Sequence, residues 1–125
     1  MPDLRILIVD PDAQVRSHLS LLLTMRGCRV ETAENSQDAL EVTEELHPSL
    51  VLLDMQTPGL EGLAFVRELR ARHIDAPLIV MGPEREVQRW AVSVGAVGYL
   101  PKPVQVSRLL SCVEIPDRSP STNAA

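Results

Sequence analysis

A chain of 125 residues, 45% hydrophobic and 23% charged, fits one domain with a real buried core. Seventeen acidic residues against 12 basic ones give a net charge of −5, which argues against a nucleic-acid face, because phosphate binding needs clustered Lys and Arg. The longest apolar runs, residues 6–9 and 21–23, fall far short of a membrane span, and Met1-Pro2-Asp3-Leu4-Arg5 lacks a signal-peptide layout; the expected compartment is the cytoplasm.

Short β-branched or leucine-rich runs alternate with longer segments of helical period, the pattern of a parallel sheet covered by helices on both faces. The first strand covers residues 4–9 and ends in Asp10. Residues 13–26 set Val15, Leu19, Leu22 and Leu23 at helical spacing, and Gly27 suits the left-handed position past the helix end. After a second strand over 29–33, a second helix is predicted to start at Ser36 as N-cap and to stop before His47-Pro48, since a residue preceding proline is pushed out of the α region. The third strand, Leu50-Val51-Leu52-Leu53, runs into Asp54 and turns at once through Met55-Gln56-Thr57-Pro58-Gly59. A third helix over 63–72 puts Leu63, Val66 and Leu69 or Arg70 on one face. The fourth strand spans 78–81. Pro83 is placed in the first turn of a fourth helix that carries Val87, Ala91 and Val94 and ends before Gly95. A fifth strand over 97–100 and a short helix over about 104–113 complete a domain of residues 1–115. Residues 116–125 are polar, proline-bearing and aperiodic, and read as a disordered tail or interdomain linker.

The fold expected is a doubly wound, five-stranded parallel sheet of order 2-1-3-4-5, in which ligands bind beyond the carboxyl ends of the strands, at the switch between strands 1 and 3. Asp10 and Asp54 terminate those two strands. Neighbouring strands lie about 4.8 Å apart, so the two carboxylates repel unless a cation stands between them, and hard oxygen ligands favour Mg²⁺. Lys102 ends the fifth strand, and its long stem can return the ammonium toward the acids. Metal on one side, ammonium on the other and Asp54 as nucleophile make a set able to hold a phosphoryl group.

These residues resemble the receiver domain of two-component response regulators. The match is carried by Ile6-Leu7-Ile8-Val9-Asp10, by Leu52-Leu53-Asp54-Met55 with Thr57-Pro58-Gly59 and Gly62, and by Gly95-Ala96-Val97-Gly98-Tyr99-Leu100-Pro101-Lys102-Pro103. The resemblance implies a flavodoxin-like fold in which Asp54 accepts a phosphoryl group from a histidine kinase or phosphotransfer protein. It further implies Mg²⁺ held by Asp10, Asp54 and the backbone carbonyl of Gln56, and Lys102 in contact with the phosphoryl. Tyr99 matches an aromatic switch position, and a cis peptide is expected before Pro103. An output domain or partner would read the face made by the fourth helix, fifth strand and fifth helix.

Two departures make the site atypical. Receivers carry paired acids after the first strand, whereas this chain reads Asp10-Pro11-Asp12; Asp12 is a natural N-cap and a candidate substitute ligand. Receivers end the fourth strand in Thr or Ser, followed by a residue whose N–H also grips the phosphoryl. Here Gly82 has no hydroxyl and the following Pro83 has no N–H. A hydrogen bond to a charged group is worth roughly 1.5–3 kcal/mol, so losing two rivals the roughly 5.5 kcal/mol needed to throw a two-state switch. The coupling from that strand to Tyr99 is therefore expected to be broken or replaced.

The remaining residues have plainer readings. Cys28 and Cys112 read as reduced, partly buried thiols, and His18, His47 and His73 as surface or capping residues. Trp90 reads as a large, partly buried side chain or a partner contact. Three functions compete: a phosphoacceptor, a phosphorylation-independent pseudo-receiver that binds proteins, and a phosphatase of the haloacid-dehalogenase type suggested by Asp10-Pro11-Asp12. The last lacks the further strand-end Ser or Thr, the downstream acidic pair and the longer chain that such enzymes need.

Overall fold

The computed structural model describes residues 4–59 and 62–114, over which five strands alternate with five helices. They are β1 (Arg5–Val9), α1 (Ala13–Thr24), β2 (Arg29–Ala33), α2 (Ser36–Leu46), β3 (Leu50–Asp54), α3 (Gly62–Ala71), β4 (Leu78–Gly82), α4 (Val87–Val94), β5 (Gly98–Pro101) and α5 (Val106–Glu114). The proposed tail, 116–125, lies outside the described residues. All neighbouring strands are parallel, in the order β2-β1-β3-β4-β5 that the alternating pattern predicted.

Because successive strand residues point to opposite faces, the apolar runs of β1, β3 and β4 feed two cores at once, and each is buried throughout its interior. On one side Ile6, Ile8, Leu50, Leu52, Ile79, Met81 and Leu100 pack with Leu19 and Leu23 of α1 and Leu109 and Val113 of α5. On the other, Leu7, Val9, Val51, Leu53 and Val80 meet residues from α2, α3 and α4. Each fully buried Leu or Ile contributes about 1.5–3 kcal/mol relative to exposure. The edge strand β2 differs, for Arg29, Glu31 and Thr32 are exposed and only Ala33 is buried.

Helix ends follow local chemistry, with some corrections to the predicted boundaries. Asp12 caps α1, its side chain accepting from the N–H groups of Gln14 and Val15. Gly27 is left-handed (φ 90°), as its place after the helix required. The cap of α2 is Asn35, not Ser36: Asn35 accepts from the N–H of Asp38, while the Ser36 hydroxyl donates to the Gly59 carbonyl at 2.6 Å. His47 ends α2 in the left-handed region (φ 51°), so the residue before Pro48 does leave the right-handed helix, though not toward extended backbone. In α3 the buried face is Phe65, Val66 and Leu69, and Leu63 is 44% exposed rather than inward. Pro83 stands ahead of α4 instead of within its first turn. Its carbonyl accepts from the N–H groups of Glu86 and Val87, forming a turn that leads into the helix.

Candidate functional site

All five strands point the same way, so their carboxyl ends share one rim, and the register Val9↔Leu53 sets Asp10 and Asp54 side by side there. Both acids continue the alternation of Ile6-Ile8 and Leu50-Leu52, and both are buried, at 0% and 3% relative exposure. Lys102, just past β5, reaches across: its Nζ is 2.7 Å from Asp10 Oδ2 and 2.5 Å from Asp54 Oδ2. The Lys102 ammonium thus bridges the two carboxylates.

The remaining carboxylate oxygens are also engaged. Asp10 Oδ1 accepts from the N–H of Asp12 at 2.9 Å, and Asp54 Oδ1 from the N–H of Gln56 at 2.7 Å. The carbonyl of Asp54 accepts from both the hydroxyl and the N–H of Thr57, while the N–H of Met55 donates to Met81 on β4. Asp54 is therefore held on both sides by its own turn and by a neighbouring strand. Arg16 of α1 donates from Nη1 to the Asp10 carbonyl at 2.8 Å. The Thr57 and Arg16 contacts were missed from sequence; Thr57, three residues after Asp54 beside Pro58-Gly59, carried a readable turn signal, whereas Arg16 carried none.

Electrostatics follow from this packing. Burial raises the pKa of Asp10, and repulsion from Asp54 adds to that, against the lowering effects of Lys102 and the Asp12 N–H; the net direction is upward. Burial lowers that of Lys102, but its hydrogen bonds to Asp10 and Asp54 outweigh burial and leave it raised, so the ammonium is held charged. Two acids against one amine leave an uncompensated negative charge among oxygen donors, and the donor set fits a small hard cation. Among the described residues no three His, Cys, Asp or Glu side chains converge as a metal cage. Asp12 is committed to the helix cap and exposed, so a divalent ion here would also draw on water and phosphate oxygens.

The β4 end of the rim is built differently. Gly82 is buried, and its carbonyl accepts from the Lys102 N–H at 2.9 Å. A Cβ on Gly82 would meet Trp90 Cζ3 at 2.7 Å, closer than real Cβ contacts come, so the indole of α4 occupies the space where a strand-end side chain would stand. Tyr99 is half-buried, packed against the core on the α4 side of the sheet and paired in register with Val80. The Lys102–Pro103 peptide is cis, as the family resemblance implied. An apolar cleft of about 240 Å³, lined by Val15, His18, Leu19, Pro103 and Val104, opens beside Lys102.

A five-stranded 2-1-3-4-5 sheet with two acids and a lysine at its switch point defines a signalling receiver fold, and comparison with known proteins agrees. The family model described as the response regulator receiver domain matches residues 6–114. The chain belongs to this family and is a receiver domain of the two-component response regulators. Response regulator MprA of Mycolicibacterium vanbaalenii is 37% identical over 109 residues, covering 86% of this chain and 47% of that protein. Regulatory protein AtoC of Escherichia coli is 34% identical over 107 residues, covering 84% of this chain and 23% of that one. The chain thus spans about half the length of the MprA relatives it matches. The receiver domain of NtrX from Brucella abortus superposes with a TM-score of 0.81 at 29% identity, covering 91% of this chain and 99% of that one. Chemotaxis response regulator CheY4 of Vibrio cholerae gives 0.81 at 26% identity, covering 92% and 99%. Among the described residues no helix is long and apolar enough to cross a membrane.

Proposed function

We propose that Asp54 is the phosphoacceptor of a two-component relay, taking its phosphoryl group from a phosphohistidine on a sensor kinase or phosphotransfer protein in the cytoplasm. A carboxylate oxygen of Asp54 attacks phosphorus, an O–P bond forms as the N–P bond breaks, and the electron pair returns to the imidazole nitrogen. Lys102 neutralises the incoming charge, and its short contacts to both acids are the observation that supports the reading most directly. Asp10, Asp54 and the backbone carbonyl of Gln56 would hold Mg²⁺, which when bound offsets charge on the phosphoryl oxygens. The domain acts as a signalling element whose own chemistry is limited to self-catalysed transfer and slow hydrolysis. The added charge of about −2 reshapes the rim for an output domain or partner that reads the α4-β5-α5 face, with no direct nucleic-acid or membrane contact.

A second reading, a pseudo-receiver that binds proteins without phosphate, draws support from Pro11, from Gly82, which has no hydroxyl, and from Pro83, which has no N–H. Intact mass after incubation with Mg²⁺ and a small phosphodonor separates the two. One added phosphate that disappears in Asp54→Asn is the outcome expected of a phosphoacceptor. An unmodified chain, under conditions that modify a control receiver, rejects that reading in favour of the pseudo-receiver.

A further inference from the structure

The acids and Trp90 lie on opposite sides of one short piece of backbone. Asp10, Asp54 and Lys102 follow the strand alternation that faces α1 and α5, whereas Gly82 follows the alternation of Leu78 and Val80, which faces α3 and α4. Between them runs a continuous set of contacts. Asp54 Oδ2 holds the Lys102 ammonium at 2.5 Å, the Lys102 N–H is bonded to the Gly82 carbonyl at 2.9 Å, and the Trp90 ring rests on the Gly82 Cα where a Cβ is excluded. Trp90 in turn belongs to α4, whose Val87, Ala91 and Val94 anchor it to the core. No hydroxyl takes part in this path. Tyr99 pairs with Val80, one step back from Gly82 on the same face.

We infer that Trp90, rather than Tyr99, is the residue through which the state of Asp54 reaches α4, by way of Lys102 and the side-chain-free position at Gly82. This rests on the phosphoacceptor reading. A phosphoryl group on Asp54 competes for the Lys102 ammonium; a shift of Lys102 moves its N–H and so the Gly82 carbonyl; and the close ring-to-backbone contact passes that displacement to α4. Packed contacts of this kind transmit small movements because they do not deform smoothly. Gly82 and Trp90 are then a matched pair, each fixed by the other.

Trp90 is the single tryptophan of the chain, so its emission reports this contact without labelling. Emission and intact mass are to be followed on the same sample during treatment with Mg²⁺ and a small phosphodonor. The expected result is an emission change that rises with the phosphate adduct, is absent in Asp54→Asn and survives in Tyr99→Phe. An adduct that forms while the emission stays constant, or a response lost in Tyr99→Phe, overturns the relay and leaves the phosphoacceptor reading intact. A failure to form any adduct overturns both, and mass alone distinguishes that case. The matched pair is tested separately by melting temperatures of Gly82→Ala, Trp90→Ala and the double variant. Gly82→Ala is expected to lose stability in the parent and to lose little or none once Trp90 is Ala; additive losses overturn the pairing.

Discussion

Two faces of the same rim were assembled by different means. At β1, β3 and β5 three charged side chains converge, every carboxylate oxygen has a partner, and the geometry is set by strand register and turn hydrogen bonds. At the end of β4 the chain offers no polar side chain, and an aromatic ring from α4 fills the place. On the proposed reading the charged side receives the phosphoryl group, and the β4 side is the inferred route by which its effect reaches α4.

The contrast can be broken most forcefully at Lys102. Lys102→Met leaves two buried carboxylates facing each other, and urea unfolding is expected to lose about 3 kcal/mol, the lower part of the range for breaking buried ion pairs because the lysine is partly exposed. Adding Asp10→Asn should recover most of it. Titration gives the same answer by another route. The pKa of Lys102 is raised, so its contribution is fully present below 10.5 and lost as pH climbs through the folded value. On the other side, Gly82→Ala forces a Cβ against the indole, with an expected loss of about 1–3 kcal/mol from overpacking.

Asp12→Ala sharpens the border of the charged corner. It should cost about 1 kcal/mol as a lost cap while leaving phosphate uptake and its Mg²⁺ dependence unchanged; a marked rise in the Mg²⁺ requirement would instead make Asp12 a ligand. The smallest effect is expected of Asp10→Asn alone. A raised carboxyl pKa favours the fold only where the group is protonated, and that contribution fades as pH rises through the folded value. Where Asp10 is ionised it is therefore a burden that Asn relieves, and calorimetry should show the gain shrink as pH falls toward 3.8.

Much of this was legible because it depends on local pattern. Apolar runs ending in Asp10 and Asp54 and a lysine after the fifth run specified the sheet, its switch point and the three charged residues. What escaped depends on partners distant in sequence. Ser36 looked like a cap, but its hydroxyl is taken by Gly59, 23 positions away, and Asn35 caps instead. The helical period put Leu63 on the inner face of α3, but Phe65 is buried there and Leu63 is 44% exposed. Gly82 announced a missing hydroxyl, yet nothing in the one-dimensional pattern paired it with Trp90, eight positions on, because ring-to-backbone packing leaves no periodic trace.

The polar edge at β2 has a bearing on handling the protein. An outermost strand with unpaired amides invites a foreign strand to extend the sheet, and Arg29 and Glu31 set charge along that margin. On the opposite margin β5 is only four residues long and closes in Pro101, which has no amide hydrogen to offer. Concentrated solutions should therefore resist seeding of ordered, fibre-like growth, and crystals should pack through helices and loops.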